Sequence, residues 1–342
     1  MRTVTLHYDP IHAQHDVAGH PEHPGRVSAV MEHLQAANET VRYRLSPSRA
    51  AIESELLLTH SSTHIDLIRR LDQSGGGSID PDTTVVPGSF AAAAHAAGSV
   101  LAAVDEVLGG EADASYCAVR PPGHHATRDR AMGFCLFNNV AVAASYARAH
   151  HGLKRLAIVD FDVHHGNGTQ DIFWQDPDTL YVSLHQYPFY PGTGDWRERG
   201  GDRALGATVN VPLPAGSGDL DYLRTFDLLI LPIVERFRPD MVLISAGYDG
   251  HRHDPLAAME LSAEAYGSVM SRLRILADRV SDGRIVAALE GGYNLEALAA
   301  SVEGSIAALL EESPRIEPAG ATGERIETYL EGLRRFHGLP PE

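Results

Sequence analysis

The chain alternates between short apolar runs closed by turn residues and longer segments whose apolar positions recur every three or four residues. ASYCAV, RLAIVD, TLYVSLH, DMVLISAG and RIVAALEGG are of the first kind, and they lack the every-second-residue polarity of a half-exposed strand. Continuous apolar runs of this length predict strands buried on both faces, as in a parallel sheet. Between them, Tyr266, Val269, Met270, Leu273, Leu276, Ala277 and Val280 share one helical face, with Ser262 placed to cap the start and Gly283 past the end. The alanine-rich stretch from Ser89 to Leu108, followed by Gly109 and Gly110, predicts a helix packed closely on the sheet. Strand and helix alternate, so the expected class is α/β with a parallel sheet.

From about Gly320 a charged segment sets Ile326, Leu330 and Leu333 at helical spacing and ends in a proline-rich tail, which predicts an outer helical segment over 320–342. No internal repeat, long linker or charge block divides the chain, so one domain over 1–342 is expected. With 342 residues, 44% hydrophobic and 21% charged, the chain can bury a large core. A formal charge of −17 argues against a nucleic-acid binder, which needs a basic surface, and suits a cationic substrate. Cys117 and Cys135 are too few for a disulfide framework. The N-terminus lacks a secretory pattern and no apolar run approaches a membrane span, so a cytoplasmic protein without membrane contact is expected.

Polar residues collect where the strands end. ASYCAV runs into RPPGHH, RLAIVD into FDVHHGNG, DMVLISAG into YDGHRHDP, and RIVAAL into EGGYN. Open parallel sheets place their sites beyond the carboxyl ends of the strands, so these four segments should share one crevice. If Asp160, Phe161, Asp162, Val163 and His164 continue the strand, alternation puts Asp160, Asp162 and His164 on one face. Asp162 and His164, joined by Asp249 from the neighbouring strand end, form a metal-ligand set with an open position. Two carboxylates leave a divalent ion a weak acidifier of water, so a separate base is needed, and His124-His125 can supply it. Asp160 and Asn167 are candidates to orient these histidines. An Asp partner holds one imidazole cationic, while Asn leaves the other, His125, neutral and able to take a proton. Gly291-Gly292 frees the chain to turn and present Tyr293 to a substrate carbonyl.

RPPGHH, GFCLFNN, DFDVHHGNGTQ, SAGYDGHRHDPL and LEGGYN, in this order, resemble the histone deacetylase and acetylpolyamine amidohydrolase family over residues 5 to 310. The resemblance implies an arginase/deacetylase-like α/β fold with a parallel sheet of about eight strands, and hydrolysis of N-acetyl groups from amines. It implies zinc at Asp162, His164 and Asp249, an acid–base pair at His124 and His125, and a carbonyl-polarising Tyr293. Asn167 matches the class II form of its motif, as in bacterial class II enzymes. Gly133, Phe134 and Tyr190 correspond to walls of the substrate tunnel, Tyr190 standing where Phe is usual. Gly291 and the rim residues Asp82 and Leu256 also correspond to substrate-binding positions. Arg26 matches an arginine of an internal acetate channel. Structural potassium is implied at Asp160, Asp162, His164, Ser183 and Leu184, partly through backbone carbonyls. The carboxylate-rich metal set also accommodates Fe(II), Co or Mn. Acetyl-lysine in proteins or peptides is the expected substrate, because Leu256 is apolar where polyamine-selective members are acidic. Acetylated polyamines are the alternative, and a homo-oligomer is compatible with either. An arginase-like two-manganese ureohydrolase would need more ligands than these motifs offer. A silent acetyl-amine binding module would be expected to lack one of the six catalytic or ligand residues, and all six are present.

Overall fold

The computed structural model describes residues 2–37, 41–312 and 316–340, so the last two residues of the proline-rich tail lie outside the described residues. Its strands are β1 (Val4–His7), β2 (Arg44–Ser46), β3 (Gly77–Ser78), β4 (Thr84–Val85), β5 (Ala114–Cys117), β6 (Leu156–Asp160), β7 (Thr179–Gln186), β8 (Thr208–Leu213), β9 (Met241–Ala246) and β10 (Ile285–Leu289). Eight of them form one sheet in the order β2-β1-β5-β10-β9-β6-β7-β8, while β3 and β4 make a small separate hairpin. Every pairing in the large sheet is parallel. Each of the five apolar runs contributes one strand to this sheet, and eight parallel strands are what the resemblance to an arginase/deacetylase-like fold leads one to expect.

Both faces are covered because successive side chains point to opposite sides. Ile285, Ala287 and Leu289 join the core under the helices Gly25–Ala36, Ala263–Val280 and Leu295–Leu310. Val286 and Ala288 join the core under Ser89–Leu108 and Asn139–His151. Ser262 caps its helix by accepting from Ala265 N, and Gly283 takes the left-handed conformation at φ +77° just past its end. The helix Glu324–Phe336, expected outside the core, instead joins the first of these cores through Leu333, with Ile326 packed against it and Leu330 also buried.

Two further expectations need correction. Ser89–Leu108 is long and apolar enough, by length and composition, to cross a membrane; here most of it is buried, as a core helix on the sheet. The strand of RLAIVD stops at Asp160, so alternation along an extended chain does not align Asp162 and His164. Asx-type turns do it instead: Asp162 N donates to Asp160 Oδ1 at 3.1 Å and His164 N donates to Asp162 Oδ1 at 2.9 Å.

Candidate active site

The four central strands β5, β10, β9 and β6 are neighbours, and their carboxyl ends carry the four polar clusters. Asp162 Oδ2 accepts from Gly291 N at 2.8 Å and Asp249 Oδ1 accepts from Val163 N at 3.0 Å. Each carboxylate turns its other oxygen toward His164. These oxygens meet His164 Nδ1, which lies 3.2 Å from Asp162 Oδ1 and 3.0 Å from Asp249 Oδ2. Gly291 is needed for this approach, since a Cβ there would fall 2.6 Å from Asp162 Oδ2.

A single proton on His164 Nδ1 cannot be aimed well at both buried carboxylates. A divalent cation can be bound by all three atoms, and the three groups lie within 4.8 Å of one another. The residues present thus fit a metal ion. Burial works to lower the His164 pKa, but Asp249 and then Asp162 outweigh it and raise it to about 10, a measure of how strongly the two carboxylates favour positive charge at this point. A second group, His124, Cys135 and Glu290, also clusters, but its atoms are engaged: Cys135 Sγ bonds Gly133 O at 3.3 Å and Glu290 Oε2 accepts from Gly123 N at 2.6 Å.

The histidine rings of 124 and 125 sit 4.0 Å apart, centroid to centroid. His124 Nδ1 lies 3.0 Å from Asp160 Oδ2, which also accepts from the Tyr181 hydroxyl at 3.0 Å. His125 Nδ1 lies 2.8 Å from Asn167 Oδ1. For His124, burial favours the neutral ring, but Asp162 and then Asp160 overcome it and raise the pKa to about 10. For His125, burial and then the charges of His124 and His164 push the pKa well below the usual range. The two rings are driven apart electrostatically.

A cavity of about 200 Å³ leads to these groups. Asp82, Pro122, Gly133, Phe134, Phe189, Tyr190, Leu256, Gly291 and Tyr293 line it with His124, His125, Asp162 and His164. Phe189 stacks on His164 at 5.2 Å, while Phe134 meets Tyr293 edge-on at 5.8 Å. Tyr190 stands 5.2 Å from His125; the residue is 37% exposed, yet burial of its hydroxyl raises the phenol pKa. Asp249 lies behind the cavity wall rather than on it.

Arg26 is fully buried; Nε donates to Gly292 O at 2.6 Å, Nη2 to Glu290 O at 2.6 Å and Nη1 to Glu22 Oε1 at 3.0 Å. Its guanidinium also faces the Tyr293 ring at 4.8 Å. Ser183 and Leu184 are buried on β7, with Ser183 Oγ 2.9 Å from His185 Nδ1. Sequence reasoning reached Phe189 and Pro122 only through the FYPGTGD and RPPGHH segments that contain them, and it gave no role to Asp254 or Glu290. Glu290 anchors the histidine pair by accepting from Gly123 N and, at 3.1 Å, from His124 N, while Ser245 Oγ donates to its other oxygen at 3.0 Å. Its place directly after β10, at the head of EGGYN, was the available signal.

Fold and site together define a hydrolase of the arginase/deacetylase-like class. The histone deacetylase domain model matches residues 20–309. A histone deacetylase-like amidohydrolase of Pseudomonas aeruginosa is 41% identical over 278 residues, covering 81% of this chain and 73% of that protein. A probable deacetylase of Methanothermobacter thermautotrophicus is 40% identical over 300 residues, covering 87% and 88%. Chloroplastic histone deacetylase 14 of Arabidopsis thaliana is 39% identical over 315 residues, covering 87% and 74%. The crystal structure of the HDA15 HD domain superposes with a TM-score of 0.91 at 36% identity, covering 98% of this chain and 94% of that one. The chain belongs to the histone deacetylase family, whose members are generally metal-dependent amidohydrolases.

Proposed function

We propose that this protein is a zinc-dependent deacetylase acting on acetyl-lysine side chains, releasing acetate and a free amine. The observation that carries this reading is the cavity, whose Phe134, Phe189, Tyr190 and Leu256 offer an apolar passage to Asp162, His164 and the histidine pair. Such a passage suits the four-methylene stem of lysine, which packs apolar surfaces while its polar end goes further in.

Asp162, His164 and Asp249 would hold the ion, which supplies Lewis-acid polarisation of the acetamide carbonyl and acidification of water when bound. His125, held neutral beside Asn167, takes the proton from the attacking water. The Tyr293 phenol donates a hydrogen bond to the carbonyl oxygen and to the oxyanion that follows. His124, cationic beside Asp160, is placed to protonate the departing amine. Fe(II) or Co suits the same donor set. A structural potassium ion at Asp160, Asp162, His164, Ser183 and Leu184 belongs to the same reading. The side-chain oxygens of Asp160 and Ser183 are already hydrogen-bonded, so it would rest chiefly on carbonyls. The two free, buried thiols suit a reducing setting such as the cytoplasm.

A second reading, hydrolysis of acetylated polyamines, is favoured by the net charge of −17 and by Asp82 at the mouth. Acetate release from acetyl-lysine peptides and from acetylated polyamines, measured side by side after reconstitution with Zn, Co or Fe(II), separates the two. Rates at least tenfold higher on the peptides are expected, and comparable rates would sink the preference for them.

A further inference from the structure

One carboxylate joins two segments that line the cavity. Asp254, 8% exposed, lies on the loop after β9. Its Oδ1 accepts from Leu256 N at 3.0 Å, and its Oδ2 accepts from Tyr293 N at 2.6 Å and Asn294 N at 3.2 Å. Leu256 and Tyr293 both line the cavity. Asn294 in turn caps the helix Leu295–Leu310, its side chain accepting from Ala297 N at 3.0 Å, so the same carboxylate fixes where that helix begins.

The chain ahead of Tyr293 cannot fix the phenol by itself. Gly292 sits at φ +120°, a conformation that glycine adopts readily and that carries no side chain to lock it. Arg26 grips this stretch from the other side, at the carbonyls of Glu290 and Gly292 and against the face of the Tyr293 ring at 4.8 Å, so it bears on the ring and on the carbonyls that precede it. The backbone amides at 293 and 294 are held by Asp254.

We propose that Asp254 is a positioning residue that places the Tyr293 phenol over the reacting carbonyl and ties it to the rim at Leu256. This rests on the reading of Tyr293 as the carbonyl-polarising group. A carboxylate is needed because it alone presents acceptors, and no donor, to amides on both sides.

The test is a double-mutant cycle on acetate release from an acetyl-lysine peptide, with bound metal measured for each variant. Asp254→Ala is expected to lower kcat roughly 10- to 100-fold, as misplacement of a positioned group does, with metal content unchanged. Added to Tyr293→Phe it should cost little more, because the group it positions is gone. Independent, multiplying losses would overturn the inference, and so would a fall in metal content that accounts for the loss. Full activity of Tyr293→Phe alone would overturn the reading of the phenol and the inference with it, an outcome distinct from the other two. Should Asp254→Ala fail to fold, Asp254→Asn decides. Its oxygen can serve Tyr293 and Asn294 while its NH₂ opposes the Leu256 amide, so kcat near wild type with KM raised about 3- to 10-fold is expected for one lost acceptor. A kcat loss without a change in KM would overturn the proposal.

Discussion

His125 turns Nδ1 to the amide oxygen of Asn167, 2.8 Å away, and so has a neutral partner where the adjacent His124 has the carboxylate of Asp160. This difference adds to two larger causes that separate the rings' protonation: Asp162 does most to raise His124, and burial does most to lower His125. Burial and the charge on His124 hold His125 neutral, and Asn167 adds no anion to oppose them. Asn167→Asp would supply that anion and raise the His125 pKa. A general base works only while unprotonated, so the acidic limb of kcat/KM should move to higher pH and activity near pH 6 should fall several-fold relative to wild type. A pH–rate profile checks this, and an unmoved acidic limb would count against His125 as the base.

The pairing of Asp162 with Asp249 makes a prediction about the metal. Burial and then the charge of Asp162 raise the Asp249 pKa, so the metal-free site stores repulsion that a cation relieves. Chelation should abolish activity and lower Tm, and zinc should restore both, because an ion bound only by the folded state stabilises it. Asp249→Asn removes one of the charges that hold the ion, so zinc should raise its Tm by less than it raises that of wild type. Differential scanning fluorimetry with and without zinc tests this, and an undiminished zinc-dependent shift would refute it.

Gly133 is constrained twice. Its φ of +56° strains any other residue, and a Cβ there would lie 2.7 Å from His125 Cγ. Gly133→Ala should therefore displace the His125 ring. A kcat loss of about 100-fold with a fall in Tm of only a few degrees is expected. Loss of stability with retained kcat in the folded fraction would show that the loop, not the ring, gives way.

The strands that surround the site were legible because burial on both faces leaves long apolar runs, and because the residues after them are polar. Others were hidden for physical reasons. β8 contains Pro212, which reads as a strand breaker; the sheet tolerates it because β8 is an edge strand. β1 and β2 are too short to show a period. Asp162 and His164 could be picked from spacing, yet the turn that aligns them depends on side-chain caps rather than strand alternation. Asp254 left no local signal of its role, and the place of Glu290 after β10 marks it only as near the site, since each acts on amides contributed by distant segments. A motif shows which groups can react; what holds those groups still is a property of the packed chain.

Glu290 gives that distinction a measurable form. It is wholly buried, and burial raises its pKa from 4.5 to about 7 against the opposing pull of His124. A carboxyl whose folded pKa lies above its unfolded value stabilises the fold fully below the unfolded pKa. That contribution is lost as pH rises through the folded value. Between pH 4.5 and about 7, ionising Glu290 should therefore remove up to roughly 3 kcal/mol, at 1.36 kcal/mol per pH unit. Glu290→Gln carries no such charge. It keeps one acceptor for the Gly123 and His124 amides, and its NH₂ can donate to Ser245 Oγ. Its stability relative to wild type should rise across this window and level off above pH 8. Denaturant unfolding at pH 5, 6, 7 and 8 measures the difference, and a gap that stays constant with pH would mean that Glu290 remains protonated in the folded protein or ionises there at no cost.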